Sequence, residues 1–235
     1  MTALADTVFL LDVDNTLLDN DRITADLRAH LEREFGSASA SHYWAHFEAL
    51  RSELGYADYL GALQRYRFDG ENGQEDDSRL LQMSEFLIDY PFANRLYPQA
   101  LDVIDRLNGF GRTVILSDGD VVFQPRKVQR SGLWGAVAGR VLIYIHKEKM
   151  LDAVQRRYPA RHYVMVDDKL RVLAAMKKAM AARLTTVFPR QGHYALNPAN
   201  IALYPAADVT LEGIGDLIDF DVRALLGSEN KTNAP

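Results

Sequence analysis

Cysteine is absent from this chain, so disulfides and thiolate catalysis are excluded. No apolar run approaches the roughly 20 residues of a membrane-spanning helix, and no membrane partner is expected. No basic block stands out. Lys and Arg number 27 against 32 Asp and Glu, a formal net charge of −5, which argues against nucleic acid as the main partner. The first residues lack the charged-then-apolar pattern of a secretory signal peptide, so the expected location is the cytoplasm. There is no internal repeat and no low-complexity tract. What is present is a chain of 235 residues, 48% of them hydrophobic, enough for one large domain or two small ones.

The stretch that organises the chain is Val8-Phe9-Leu10-Leu11-Asp12-Val13-Asp14-Asn15-Thr16. Its short apolar run, ending on polar residues, suits a strand buried on both faces of a parallel sheet. The carboxylates then stand at the strand end, where open α/β sheets place their ligands. Residues two apart in extended chain point the same way, so Asp12 and Asp14 face one pocket. Two carboxylates aimed together repel, which calls for a cation, a proton or both. Taken alone, Asp-x-Asp is equally a turn with a helix N-cap. A calcium loop is excluded: counted from Asp12, it needs Gly and Glu where this chain has Leu17 and Ile23.

Across residues 20–90 the pattern changes. Apolar positions recur at helical spacing, Leu27, Leu31 and Phe35, then Tyr43, Phe47, Leu50 and Leu54, and no strand pattern appears. This predicts an α-helical insertion over 20–90, with a polar loop at Glu71–Ser78, between the two parts of an α/β core at 1–19 and 91–227. A disordered tail is expected at 228–235. Beyond Pro98 the chain alternates. Strands are expected at Thr113–Leu116, Arg140–Ile145, Tyr163–Val166, Thr185–Phe188 and Asp208–Leu211. Helices are expected at Ala100–Leu107, Phe123–Arg130, Lys149–Tyr158 and Val172–Ala182. Alternation of this kind means parallel βαβ units with right-handed crossovers. The fold class is α/β, a doubly wound parallel sheet of Rossmann-like type with an inserted α-helical cap.

Asp12-x-Asp14-x-Thr16 after an apolar strand resembles motif I of the haloacid dehalogenase superfamily, and three later stretches resemble its other motifs in order. Ser117 resembles motif II, whose hydroxyl holds a phosphate oxygen. Lys147, ahead of an apolar helix start, resembles the motif III lysine; Lys149 competes for that place and otherwise reads as a solvated residue. Val164-Met-Val-Asp167-Asp168 resembles motif IV, whose second acid binds the metal. Four residues after Asp168 stands Val172, where many members carry an acid or Asn. The matches span residues 8–211. Asp14 separates the chain from true haloacid dehalogenases, which keep the nucleophile, lack this second Asp and work without metal. The helical insertion between motifs I and II looks like the family's C1-type cap.

The resemblance implies a Mg²⁺-dependent hydrolase of phosphate monoesters acting on a small phosphorylated metabolite. Mg²⁺ would sit between Asp12, the Asp14 backbone carbonyl and Asp168, with Asp167 as an indirect partner. Asp12 would be the nucleophile. Asp14, protonated at first, would be the acid and then the base. Ser117 and Lys147 would hold the phosphoryl oxygens. The rivals are a phosphomutase of the same superfamily, a metal-independent 2-haloacid dehalogenase and a non-catalytic phosphate-binding module. Asn15 and Thr16 read as loop-shaping residues. His42, Trp44 and His46 read as surface or core edge of the insertion, and Arg65 and Arg67 as a solvated helix face. Asp118 and Asp120 read as turn residues. Arg190–His193 follows a strand at the ligand edge and is a candidate pocket wall.

Overall fold

The computed structural model describes residues 5–68 and 77–227. Its strands are β1 (Ala5–Leu11), β2 (Arg112–Asp118), β3 (Val141–Tyr144), β4 (Ala160–Val166), β5 (Leu184–Pro189) and β6 (Val209–Leu211). They form one six-stranded sheet in the order β3-β2-β1-β4-β5-β6, with every pair parallel. β1 is central: Leu10 lies beside Val114 of β2 and Met165 of β4. The strand order reverses direction between β1 and β4, and at such a point a crevice opens beyond the strand ends.

The apolar runs are continuous because both faces of the sheet are covered. Phe9 and Leu11 pack with Val164 and Val166 on one face; Val8 and Leu10 pack with Tyr163 and Met165 on the other. All eight of these side chains are fully buried. Some boundaries differ from expectation. The helix expected at Lys149–Tyr158 is a 3-10 turn at Lys147–Lys149 followed by a helix at Leu151–Arg157. His146, with φ of 60°, turns the chain sharply just before it. Asp208 stands outside β6, because its carboxylate accepts from the backbone N–H and the hydroxyl of Thr186.

The regular structure of the insertion is all helical among its described residues. Its helices cover Asn20–Leu54, Tyr59–Phe68 and Asp77–Asp89, the first broken at Gly36. Asp19 caps the first by accepting from the Arg22 N–H, and Gly55, at φ 77°, closes it in the left-handed conformation. The last helix begins inside the stretch expected as a polar loop, Glu71–Ser78. The rest of that loop and the tail at 228–235 lie outside the described residues. The chain enters and leaves the insertion side by side: the Asp19 N–H donates to the Arg95 carbonyl at 2.7 Å, and the Tyr97 N–H to the Leu17 carbonyl at 3.0 Å. Aromatic contacts run from Phe47 to Tyr59, then to Phe123 and Phe92, at centroid spacings of 4.7, 5.1 and 5.8 Å. One apolar cluster therefore continues from the insertion onto the sheet. No helix among the described residues is long and apolar enough to cross a membrane.

Candidate active site

The ends of β1, β2 and β4 deliver the site. Beyond Leu11, the Asp12 N–H still donates to the Val166 carbonyl at 3.0 Å, so Asp12 is held in line with the sheet. The chain then turns at Asn15, whose φ is 61°. The Asn15 side-chain carbonyl accepts from the N–H groups of Asn20 and Asp21, anchoring the first turn of the insertion. Thr16 ties motif I to motif IV: its hydroxyl donates to Asp12 at 3.3 Å and accepts from the Asp168 N–H at 3.0 Å. Both residues are structural, as expected. Gly192 packs so closely that a Cβ there would lie 2.5 Å from the Cβ of Asn15, and its φ of 71° also demands glycine.

At the centre is Lys147, which is 2% exposed. Its Nζ donates to Asp12 and, at 3.2 Å, to the Leu116 carbonyl, and it pairs with Asp167 at 2.7 Å. Lys149 is exposed, so geometry separates two lysines that spacing left in competition. Ser117 Oγ donates to Asp12 Oδ1 at 3.5 Å. Asp12, Asp167 and Asp168 are all buried, and one carboxylate oxygen from each lies within 4.8 Å of the others. Neither carboxylate oxygen of Asp168 has a hydrogen-bond partner among the described residues. Unpartnered buried carboxylate oxygens are costly unless a cation meets them, and an all-oxygen donor set suits a hard divalent ion. These residues therefore fit the metal that the resemblance implied. Val172 is buried in an apolar layer and adds no ligand.

The charges are interdependent. Burial works against the ammonium of Lys147, but Asp12, Asp167 and Asp118 outweigh it and hold its pKa far above the usual lysine value. Burial lifts the Asp167 carboxyl to about 6 despite the pull of Lys147. Asp168 is pushed well above the carboxylate range by burial and by its acidic neighbours. For Asp167 the folded value exceeds the unfolded 3.8, so between these values the native state holds more protons. Its contribution to stability is present below about pH 4, and is lost as pH rises through about 6. A divalent cation held by these acids would take the place of the proton and remove that loss. Mg²⁺ is therefore expected to raise the melting temperature more at pH 7.5 than at pH 5. Thermal melts with Mg²⁺ and with chelator check this, and an equal Mg²⁺ shift at both pH values would contradict it.

A cleft of about 570 Å³ lies over the strand ends. Asp14, Asp118 and Lys127 line its floor, and Trp44, Arg51 and Tyr56 of the insertion line its other side. Asp14 does not join the acidic group. Its carboxylate forms an ion pair with Lys127 Nζ at 2.7 Å and accepts from Gln124 at 3.4 Å. The carboxylate expected as acid and base therefore has a buried lysine as its partner. Lys127 is 1% exposed and also donates to the Asn20 side chain at 2.9 Å. Gln124 donates to Ser117 Oγ at 3.0 Å.

Lys127 and Gln124 were not singled out in the sequence. The signal available was their spacing of three on the helix that directly follows β2, which sets them on one face. Asp118 is more than a turn residue: it accepts from the Lys147 N–H at 2.7 Å and lines the cleft. Asp120 is the turn residue expected, accepting from the N–H groups of Val122 and Phe123. His193 lines the cleft and bonds Asp21 at 2.6 Å, whereas Arg190 pairs with Glu212 away from it. Trp44 is a cleft wall. His42 and His46 meet ring to ring at a tilt, with their Nε2 atoms 3.1 Å apart, away from the cleft, and Arg65 pairs with Glu53 on an exposed face.

A sequence model of the haloacid dehalogenase-like hydrolases matches residues 7–179, most of the chain and every motif residue above. The chain belongs to the haloacid dehalogenase-like hydrolases. Among curated proteins, none matches this hydrolase. A crystal structure from Burkholderia xenovorans LB400, described as a haloacid dehalogenase-like hydrolase, is 68% identical, with a TM-score of 0.86 over 92% of this chain and 99% of that one. A haloacid dehalogenase-like family hydrolase from Xanthomonas campestris shares the fold at 17% identity, with a TM-score of 0.64 over 97% and 95% of the two chains. The L-2-haloacid dehalogenase from Xanthobacter autotrophicus shares it at 20% identity, with a TM-score of 0.56 over 90% and 96%.

Proposed function

We propose that this hydrolase cleaves phosphate monoesters of small metabolites with the help of Mg²⁺, through an aspartyl-phosphate on Asp12. The observation that carries the reading is the buried group Asp12, Asp167 and Asp168, with both Asp168 oxygens unpartnered, next to a separate Asp14–Lys127 pair at the cleft floor. Metal-free dehalogenation needs neither feature. Phosphoryl transfer needs both charge neutralisation and a proton for the leaving group.

Asp12, Asp168 and the Asp14 backbone carbonyl would hold the cation, with Asp167 behind them. Bound there, Mg²⁺ neutralises charge on the phosphoryl oxygens. Asp12 attacks phosphorus as the ester P–O bond breaks. Asp14, entering the cycle protonated, passes its proton to the departing oxygen, and Lys127 orients its carboxyl. Water then attacks the aspartyl-phosphate and gives a proton back to Asp14. The bond to Asp12 breaks, and inorganic phosphate leaves. Lys147 Nζ and Ser117 Oγ, which both bond Asp12, would hold the phosphoryl oxygens. Residues 20–90 act as the cap domain that closes the cleft and excludes water over the core formed by 1–19 and 91–227.

Turnover of p-nitrophenyl phosphate is expected to vanish in excess chelator and return with Mg²⁺. Full activity in chelator, or halide release from a 2-haloacid without metal, would assign the site to dehalogenase chemistry instead.

A further inference from the structure

We propose that the cleft selects phosphate monoesters that carry a second anionic group, a carboxylate or a phosphate, and that Arg28 and Arg51 of the helical insertion bind that group. The inference rests on the phosphate-monoester reading above. It begins with a charge imbalance in the cleft. On the floor the cations face acids, Lys169 through the charge of Asp168, Asp12 and Asp167 without a close ion pair among the described residues. Lys127 pairs with Asp14, Lys147 with Asp12 and Asp167, and Arg171 with Glu148 at 2.6 Å. Across from them, Arg28 and Arg51 line the same cleft. Arg28 has no acidic partner among the described residues. Its guanidinium lies over the Trp44 ring, 4.4 Å from the centroid. A guanidinium over an indole ring can still present N–H groups to a planar anion.

Among the described residues Arg51 pairs only with Glu48, at 3.6 Å and with both side chains partly exposed, a contact that an incoming anion displaces at little cost. The transferring phosphoryl group does not need these arginines, because Lys147, Ser117 and the metal-binding acids serve it. A volume of about 570 Å³ is metabolite-sized rather than phosphate-sized. Trp44, Phe47 and Tyr56 provide apolar wall for the carbon skeleton between the two charged ends.

A three-carbon series isolates the end group: propyl phosphate, 3-phosphonooxypropanoate and propane-1,3-diyl bisphosphate. With Mg²⁺, kcat/KM is expected to favour at least one of the two doubly anionic esters over propyl phosphate by about tenfold or more. Which one is favoured distinguishes a carboxylate from a phosphate ligand. The Arg28→Ala/Arg51→Ala double variant should lose that preference through KM, and Arg28→Lys/Arg51→Lys should recover part of it. Equal rates across the series in the wild type, or an equal loss on all three esters in the double variant, would overturn the proposal. Failure of the phosphate-monoester reading shows separately, as no turnover of p-nitrophenyl phosphate with Mg²⁺. Calorimetric titration with 3-phosphonooxypropanoate and with the bisphosphate then still reads the arginine pair. Binding of either weakened about tenfold in the double variant supports it, and binding of neither overturns it.

Discussion

Asp12→Asn is expected to abolish turnover and to leave no phosphoenzyme, whereas Asp14→Asn leaves a slow enzyme that accumulates one. The two residues stand two apart in sequence but face different partners. Asp12 is buried against Lys147 and Ser117, next to Asp167 and Asp168. Its carboxylate is the proposed nucleophile, and an amide in its place is not one. Asp14 instead faces the cleft with Lys127 and Gln124. Replacing it removes the proton path and leaves its backbone carbonyl in place. General acid–base catalysis contributes roughly 10²- to 10⁴-fold, so the rate should fall by about that much on alkyl phosphates. The loss should be smaller on p-nitrophenyl phosphate, whose leaving group departs without a proton. Rapid quench with labelled substrate follows the aspartyl-phosphate directly. A phosphoenzyme in Asp12→Asn, or an equal loss on alkyl and aryl esters in Asp14→Asn, would reverse the assignment.

Lys147→Met should lose activity and also destabilise the fold, a pairing that few active-site substitutions produce. The ammonium is 2% exposed and is the one cation in contact with both Asp12 and Asp167 among the described residues. Removing one partner of a buried ion pair typically costs about 3–5 kcal/mol, because the remaining charge is stranded. Here buried carboxylates are stranded at the ends of β1 and β4. For a chain of this size that loss lowers the melting temperature by roughly 10 °C. Mg²⁺ should restore part of the stability, since it would supply positive charge to the same oxygens, but not the activity, since the cation proposed to hold the phosphoryl oxygens is gone. Equal melting temperatures for variant and wild type in chelator would show that Lys147 does not balance these acids.

The motif residues were legible because of where they stand. Asp12, Ser117 and Asp167 each fall at the end of a strand whose apolar run is visible in the sequence, and a parallel sheet brings such ends to one edge. The helical insertion was legible through its period, although the break at Gly36 was not singled out. The cleft walls were hidden. Arg28, Arg51, Gln124 and Lys127 lie on helices, where a charged residue looks the same whether it meets water or a ligand. Lys127 is the sharpest case: within a basic helix it is fully buried, because Asp14 and Asn20 reach it from another part of the chain.

Read alone, the chain specifies a doubly wound sheet, a helical insertion after the first strand, and a set of acids, a serine and a lysine at the strand ends. Buried runs and turn residues carry that information locally, since solvent exclusion on both faces of a strand leaves its mark in a few consecutive residues. Tertiary structure decides the rest. It buries Lys147 against Asp12 while Lys149 stays exposed, pairs Asp14 with Lys127 apart from the cluster of Asp12, Asp167 and Asp168, and turns Trp44 and Arg51 toward the cleft. These outcomes depend on burial and on charges brought together from residues far apart in sequence. Electrostatic contacts of that kind have no period along the chain, so only the folded arrangement fixes them.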